Sequence, residues 1–469
     1  MREIRMLAAT GMLGTGFLES TLHRAMDLHP HFIGCDAGST DPGPYYLGSG
    51  LSQTSRAATK RDLRLMLLAG RAAGIPVIVG SAGMGGGDPH LEFTRDVVEE
   101  IAREEGLSFR MALIHAEIDR DLLKARLRQG RVKPLMAAPS LDEATIDRAT
   151  RIVAQMGPQP FMAALRGGAE VVIAGRASDT SIYAAIPLME GYPEGLIWHA
   201  AKVLECGAAS VVQRLYPDCM MAWLRDDHFV VEPPNPDMRC SPVSLVAHTF
   251  YENADPYHLH EPSGMLDTEE ATYEAVSDRA VKVSRSRFVH SSTYTVKLEG
   301  AERLGHRFAV IAGVRDPVVL RQFDSFLSSL RERIAHKAEA SLALAMDRDF
   351  RLAFRVYGKN GSMGPLEPEN HLEGHEVGLV TEVIGRTQEE ARAVLNLAWH
   401  TGLHHPVPEW QGLISNLAFP YSPPEMDGGE VYRFNTNHVM ELDDPCEAFP
   451  IEYRQVGRTI VASGKGGQG

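Results

Sequence analysis

Three stretches of this chain concentrate residues able to hold an anion or move a proton. The first, GCDAGSTDPGPYYLGSG (34–50), carries Asp36 and Asp41, either of which could act as a general base. Between them Ser39 and Thr40 offer hydroxyl donors to a bound anion. In the second, GSAGMGGGDPH (80–90), Ser81, Gly83 and Gly85 lead into a helical segment. Backbone N–H groups at that positive helix end would make an anion site, with His90 as a candidate general acid. The third, GRASDTS (175–181), sets Arg176 beside Ser178, Asp179 and Thr180. Its guanidinium could grip a carboxylate or phosphate in a two-pronged fork. Each stretch also has a plain structural reading, as a tight turn, a glycine-rich capped turn and a helix cap.

Weaker candidates lie elsewhere. HSSTY (290–294) supplies His290 as the alternative acid, or is simply a surface strand. YGKNGSMGP (357–365) places Lys359 and Asn360 in a glycine-rich loop that could bind substrate or be a hairpin turn. In WHTGLHHP (399–406), His400 and His404 are one helical turn apart, but no Glu completes an HExxH pattern. Histidines are favoured at a helix C-terminus in any case, so no metal site is expected there. No cofactor is assigned, although a divalent metal is left open. GMLGTGF (11–17) misses the dinucleotide fingerprint and reads as a turn. IGCDAGST (33–40) resembles the first phosphate loop of sugar-kinase and actin-like ATPases. Those folds need a strand directly afterwards, which DPGPYYLGSG cannot supply.

The elements around these loops follow one rhythm through the first 210 residues. Apolar runs at 4–10, 31–35, 76–80, 110–115, 132–137 and 170–175 alternate with amphipathic helical segments such as TKRDLRLMLLAGRAAG and HLEFTRDVVEEIAREEG. Near-continuous apolar strands between helices predict a parallel sheet covered on both faces. In such a sheet the loops leave the strands on one edge, where ligands bind. Three loops rich in Gly, Ser, Thr and Asp on that edge point to a small anionic substrate. Beyond 211 the pattern changes to strands at 280–300, 306–314, 350–358 and 376–385, with helices at 318–345 and 387–404. The expected fold is therefore α/β. Residues 1–210 would form an open, mainly parallel, Rossmann-like domain, 211–456 a smaller α+β domain of possible ferredoxin-like order, and 457–469 a flexible tail.

Composition narrows the function classes. The 469 residues carry a net charge of −14, which argues against a nucleic-acid-binding face. No apolar run approaches the ~18 residues of a membrane helix. Five cysteines without metal spacing suggest reduced thiols in the cytoplasm. A homo-oligomer is expected.

Four segments add a resemblance: SNLAFPYSPPEMDGGEVYRFNTNHVMELDDP (415–445), GRASDTSIYAAIP, RFVHSSTYTVKLEGAERLGHR and YGKNGS. Together they resemble the acyclic terpene utilisation (AtuA-type) family over about residues 4–455. The resemblance implies a bacterial cytosolic protein encoded among catabolic genes, and a small companion subunit. The opening loop, DAGSTDPGPYYLG, departs from the terpene-type members, which implies a different substrate. Two function classes result. One is a hydratase, dehydratase or isomerase acting on a small carboxylate or its CoA thioester, with Asp36 or Asp41 as base and His90 or His290 as acid. The other is a nucleotide-binding or non-catalytic ligand-binding subunit, against which the absence of GxxxxGK[ST] counts.

Overall fold

A computed structural model describes residues 2–251, 253–369, 371–409 and 415–457. The predicted tail, apart from Gly457, lies outside the described residues. The chain divides into two compact units, Met1–Glu302 with Phe434–Gly469, and Arg303–Arg433.

The first unit is built on a ten-stranded sheet. In chain order the early strands of the chain are β1 (Ile4–Ala8), β2 (Phe32–Asp36), β3 (Val77–Gly80), β4 (Phe109–Ile114), β5 (Val132–Pro134), β6 (Arg151–Ala154) and β7 (Val171–Ala174), of which β5 and β6 lie outside this sheet. Of these, β1, β2, β3, β7 and β4 lie side by side in that order, all parallel. Alternate side chains enter two different apolar layers. Met6, Phe32, Ile78, Ala112 and Val172 pack on one face, and Leu7, Ile33, Val79, Leu113 and Ile173 on the other. Burial on both faces is what the near-continuous apolar runs required. The helix Arg56–Ala73 shows the local logic. Ser55 caps it by accepting from the Ala58 amide at 3.2 Å, and Gly74 closes it with φ +66°.

Three parts of the sheet differ from the sequence reading. Val132–Pro134 was expected within the parallel sheet but pairs antiparallel with Met440, Val439 and His438. Only its first residue is buried, so it lacks the two-sided apolar environment of the others. The segment SLDEATIDRATRIVAQM, read as one helix, is the short helix Glu143–Arg148 followed by β6. The domain boundary expected at 210/211 does not coincide with the compact units. Met220–Leu224 pairs antiparallel with β1, and Ile451–Val456 pairs antiparallel with β4. A strand's alternation reveals that it is half-buried but not which sheet edge it joins.

The second unit runs strand, helix, strand, strand, helix, strand, with Phe350–Tyr357 and Val377–Gly385 forming a hairpin. His306–Val314 pairs antiparallel with Val377–Gly385 and is followed in the sheet by the strand that begins at Glu425. That order, 2-3-1-4, is the split βαβ arrangement of ferredoxin-like folds. Its core joins Phe308, Val310, Leu352 and Leu379 to Phe326, Leu330 and Val394 of the helices. Among the described residues no helix is long and apolar enough to cross a membrane.

Candidate functional site

A cleft of about 400 Å³ opens in the first unit near the C-terminal end of β7. Its polar wall joins residues from three places: Ser178, Asp179 and Thr180 after β7, Lys202 and Glu205 on a helix, and Glu261 on a strand. Lys297 also lines it, while Leu135, Leu259 and Val439 supply apolar surface. Ser178 is the N-cap residue of the helix Asp179–Met189, so Asp179 lies in its first turn, where the helix dipole favours negative charge. Lys202 and Glu205 ride on Glu194–Leu204 and the residue after it, a helix buried along nearly its whole length. Glu261 ends the strand His258–Glu261.

The polar groups are tightly organised. The Lys202 ammonium meets the Glu205 carboxylate at 2.6 Å, both nearly buried. Ser178 Oγ donates to Glu261 Oε2 at 2.7 Å, and Thr180 Oγ1 donates to Glu261 Oε1 at 2.5 Å. Burial is the first cause that shifts the proton affinities here, and mutual repulsion adds to it. Glu261 is pushed up to about 7, opposed by the hydroxyl donors of Thr180 and Ser178. Glu205 is pushed up to about 8 despite Lys202, with Asp179 and Glu261 raising it further. Asp179 is pushed up to about 6 by burial, opposed by Arg176 and Lys202. Its side chain is 34% exposed and its Oδ1 has no hydrogen-bond partner. Carboxyls so displaced, gathered in a cleft with cations, make this cleft the candidate site of the first unit.

Behind the cleft lies a buried ionic core. Arg176 Nε contacts Glu299 Oε2 at 2.8 Å, and its Nη1 donates to Ser81 Oγ and to the Ala177 carbonyl, each at 3.1 Å. Glu299 also receives Lys297 Nζ at 2.7 Å and Thr40 Oγ1 at 2.9 Å. Burial alone would raise Glu299, but the charges of Arg176 and Lys297 outweigh it and hold the carboxyl at about 2. Asp36 is buried with its Oδ1 unpartnered, while its Oδ2 accepts from the Gly38 amide at 3.0 Å. Burial and the nearby Asp179 charge drive its proton affinity well above the usual carboxylate range.

The candidates drawn from sequence are therefore distributed unevenly. Ser178, Asp179 and Thr180 line the cleft; Arg176 and Ser81 support it from beneath. Thr40 and Asp41 line a second cavity, of about 270 Å³, together with Lys297 and Glu299. Ser39 donates to Asp41 Oδ2 at 2.8 Å. Asp36 is not among the residues of either cavity wall.

The glycine-rich loop is buried rather than open. A Cβ on Gly83 would come 2.8 Å from the His90 Cβ, and one on Gly85 would come 3.0 Å from the Leu47 Cα. These glycines permit close backbone packing. His90 Nδ1 accepts from the Gly87 amide at 3.1 Å and its Nε2 meets the Leu51 carbonyl at 3.1 Å, so both ring nitrogens are engaged by backbone. Burial lowers its proton affinity to about 4. His290 is largely exposed and faces Glu194. Lys359 and Asn360 belong to the second unit, where Lys359 pairs with Asp324.

Sequence reasoning missed Lys202, Glu205, Glu261 and Lys297. One signal was present: in GLIWHAAKVLECG a lysine and a glutamate stand three apart at the end of a helix that is otherwise apolar apart from His199 and the Glu194 that opens it. Charges in such a helix must be paired. Among the described residues no group of three His, Cys, Asp or Glu side chains is placed to hold a metal ion.

No curated protein and no solved structure matches the chain. Residues 56–212 match the family model described as acyclic terpene utilisation family protein AtuA. The matched span includes Arg176, Asp179, Lys202 and Glu205, and so carries much of the cleft. This match supports the assignment of the chain to the AtuA-type acyclic terpene utilisation family.

Proposed function

We propose that this chain is a cytoplasmic catabolic enzyme, a hydratase, dehydratase or isomerase acting on a small carboxylate or its CoA thioester. The family suggests a role in acyclic terpene utilisation; the reaction class is our own reading. One observation carries it. Three carboxyls whose proton affinities straddle neutrality line the same cleft as two lysines. A general base works best with an affinity near the working pH, and its acid partner must still hold a proton there.

In this reading Lys202 and Lys297 pair with the substrate carboxylate, or polarise the thioester carbonyl and stabilise the charge that develops on its oxygen as the proton leaves. Asp179, ionised at neutral pH and partly exposed, takes the proton next to the carbonyl. Glu205 or Glu261 gives its proton to a departing hydroxyl. The carbon–oxygen bond breaks, a carbon–carbon double bond forms, and water leaves; proton return to another carbon gives isomerisation instead. Leu135, Leu259 and Val439 would receive the hydrocarbon part.

The test is a turnover screen of hydroxy-carboxylates and their CoA thioesters, with ATP–Mg²⁺ in a parallel binding arm. The reading expects turnover by the native chain and a loss of about 10²–10⁴-fold in Asp179→Asn. Stabilisation by nucleotide without any response to carboxylates would overturn it in favour of a nucleotide-binding subunit.

A further inference from the structure

Two cavities of the first unit share one wall residue. The cleft of about 400 Å³ and the neighbouring cavity of about 270 Å³ are both lined by Lys297. Side chains alternate along a strand, so Thr295, Lys297 and Glu299 face one side. Thr295 lines the cleft, Glu299 the second cavity and Lys297 both. The strand ending at Leu442 repeats the pattern, with Val439 in the cleft and Asn437, two residues away, in the second cavity. The same two strands therefore floor both spaces. Four residues of strand rise carry the Thr295-to-Glu299 floor over about 13 Å.

The two ends differ in chemistry. The cleft end holds Lys202 with its titrating carboxyls. The far end presents Asp41, Thr436, Asn437 and the Phe434 ring, which is 44% exposed. Glu299 there is already engaged by Arg176, Lys297 and Thr40. A second carboxylate at this end would face Asp41 and Glu299, whereas a hydrogen-bond donor would be welcomed by Asp41 and by the Asn437 amide oxygen. The Lys297 stem is long and its side chain is 37% exposed, so it can swing along the floor.

We infer that the two cavities are the ends of one trough for an extended carboxylate, its head at Lys202 and Lys297 and its far end a hydrogen-bond donor at Asp41 and Asn437. The hydrocarbon between them runs along the Lys297 stem, and the Phe434 ring lines the far end beside Asp41 and Asn437. This deepens the function proposed above and rests on it.

Calorimetric titration of the full chain with butanoate, decanoate, omega-hydroxydecanoate and decanedioate tests the idea. The hydroxylated long probe should bind about tenfold more tightly than butanoate, and decanoate and decanedioate more weakly than the hydroxylated probe. Phe434→Ala and Asn437→Ala should erase that advantage and leave butanoate affinity unchanged, with urea midpoints confirming that both variants are folded. Equal affinity for butanoate and the hydroxylated probe overturns the trough, as does an advantage untouched by both substitutions or no saturable binding of the long probe. Failure of the underlying reading looks different. In that case Lys202→Met leaves butanoate binding unaltered.

Discussion

The loops that follow β3 and β7 leave neighbouring strands on the same edge of the sheet, yet they do opposite things. After β3, residues 81–87 turn inward, and every one of them is buried. Gly86, at φ +66°, lets its backbone approach so closely that an added Cβ would stand 2.2 Å from the Arg176 nitrogen. After β7, the chain points Arg176 inward but presents Ser178, Asp179 and Thr180 to the cleft. The glycine-rich loop therefore packs against Arg176, and the loop with a single glycine supplies the side chains that line the cleft. Dense glycine marks where backbone must come close, and here what comes close is the protein itself.

The strongest way to break this division is to remove the shared ion. Arg176→Met leaves the buried Glu299 carboxylate without its closest guanidinium, and should cost about 3–5 kcal/mol in urea unfolding. Gly86→Ala comes next. It combines a left-handed backbone with a contact against main chain, and should lower stability by about 1–3 kcal/mol while leaving the cleft side chains themselves in place. If Gly86→Ala were neutral, the supporting role of the loop would fall.

A pH scan sharpens the comparison on the cleft side. Asp179, Glu261 and Glu205 hold protons more tightly folded than unfolded, at about 6, 7 and 8 against ordinary values of 3.8 or 4.5. The stability they lend is complete below the unfolded values and is lost as pH rises through 6 to 8. Glu299 runs the other way. Held at about 2, it stabilises above its ordinary 4.5 and loses that contribution as pH falls toward 2. Denaturant midpoints across pH should show the alkaline decline, and Glu205→Gln should flatten its upper part. At the small end, His290→Ala should change stability by less than about 0.5 kcal/mol, because its ring is exposed and its partner Glu194 is only a surface group.

Much of the scaffold was legible because its signals are local. The five parallel strands announced themselves as apolar runs, and Arg176 was conspicuous as a charge in a turn after a buried strand. The partners were not legible for a physical reason. Glu261 and Lys297 lie 82 and 118 residues beyond Asp179 in the chain, and nothing in their own neighbourhoods requires a cleft. Asp36 and His90 looked reactive by type; both are buried, and backbone engages both ring nitrogens of His90. Lys202 and Glu205 were the missed opportunity, since a lysine and a glutamate three apart at the end of a mostly apolar helix are visible without any structure.

The central claim is that an anion bound between Lys202 and Lys297 shifts the protons of the cleft carboxyls. Titration calorimetry of butanoate in buffers of different ionisation heat measures the protons exchanged on binding. Near pH 7 the account predicts net proton uptake, because a new negative charge raises the affinities of Asp179, Glu261 and Glu205 further. That uptake should shrink in Glu261→Gln combined with Glu205→Gln, leaving the share of Asp179. Binding with no proton exchange in the native chain would contradict the account.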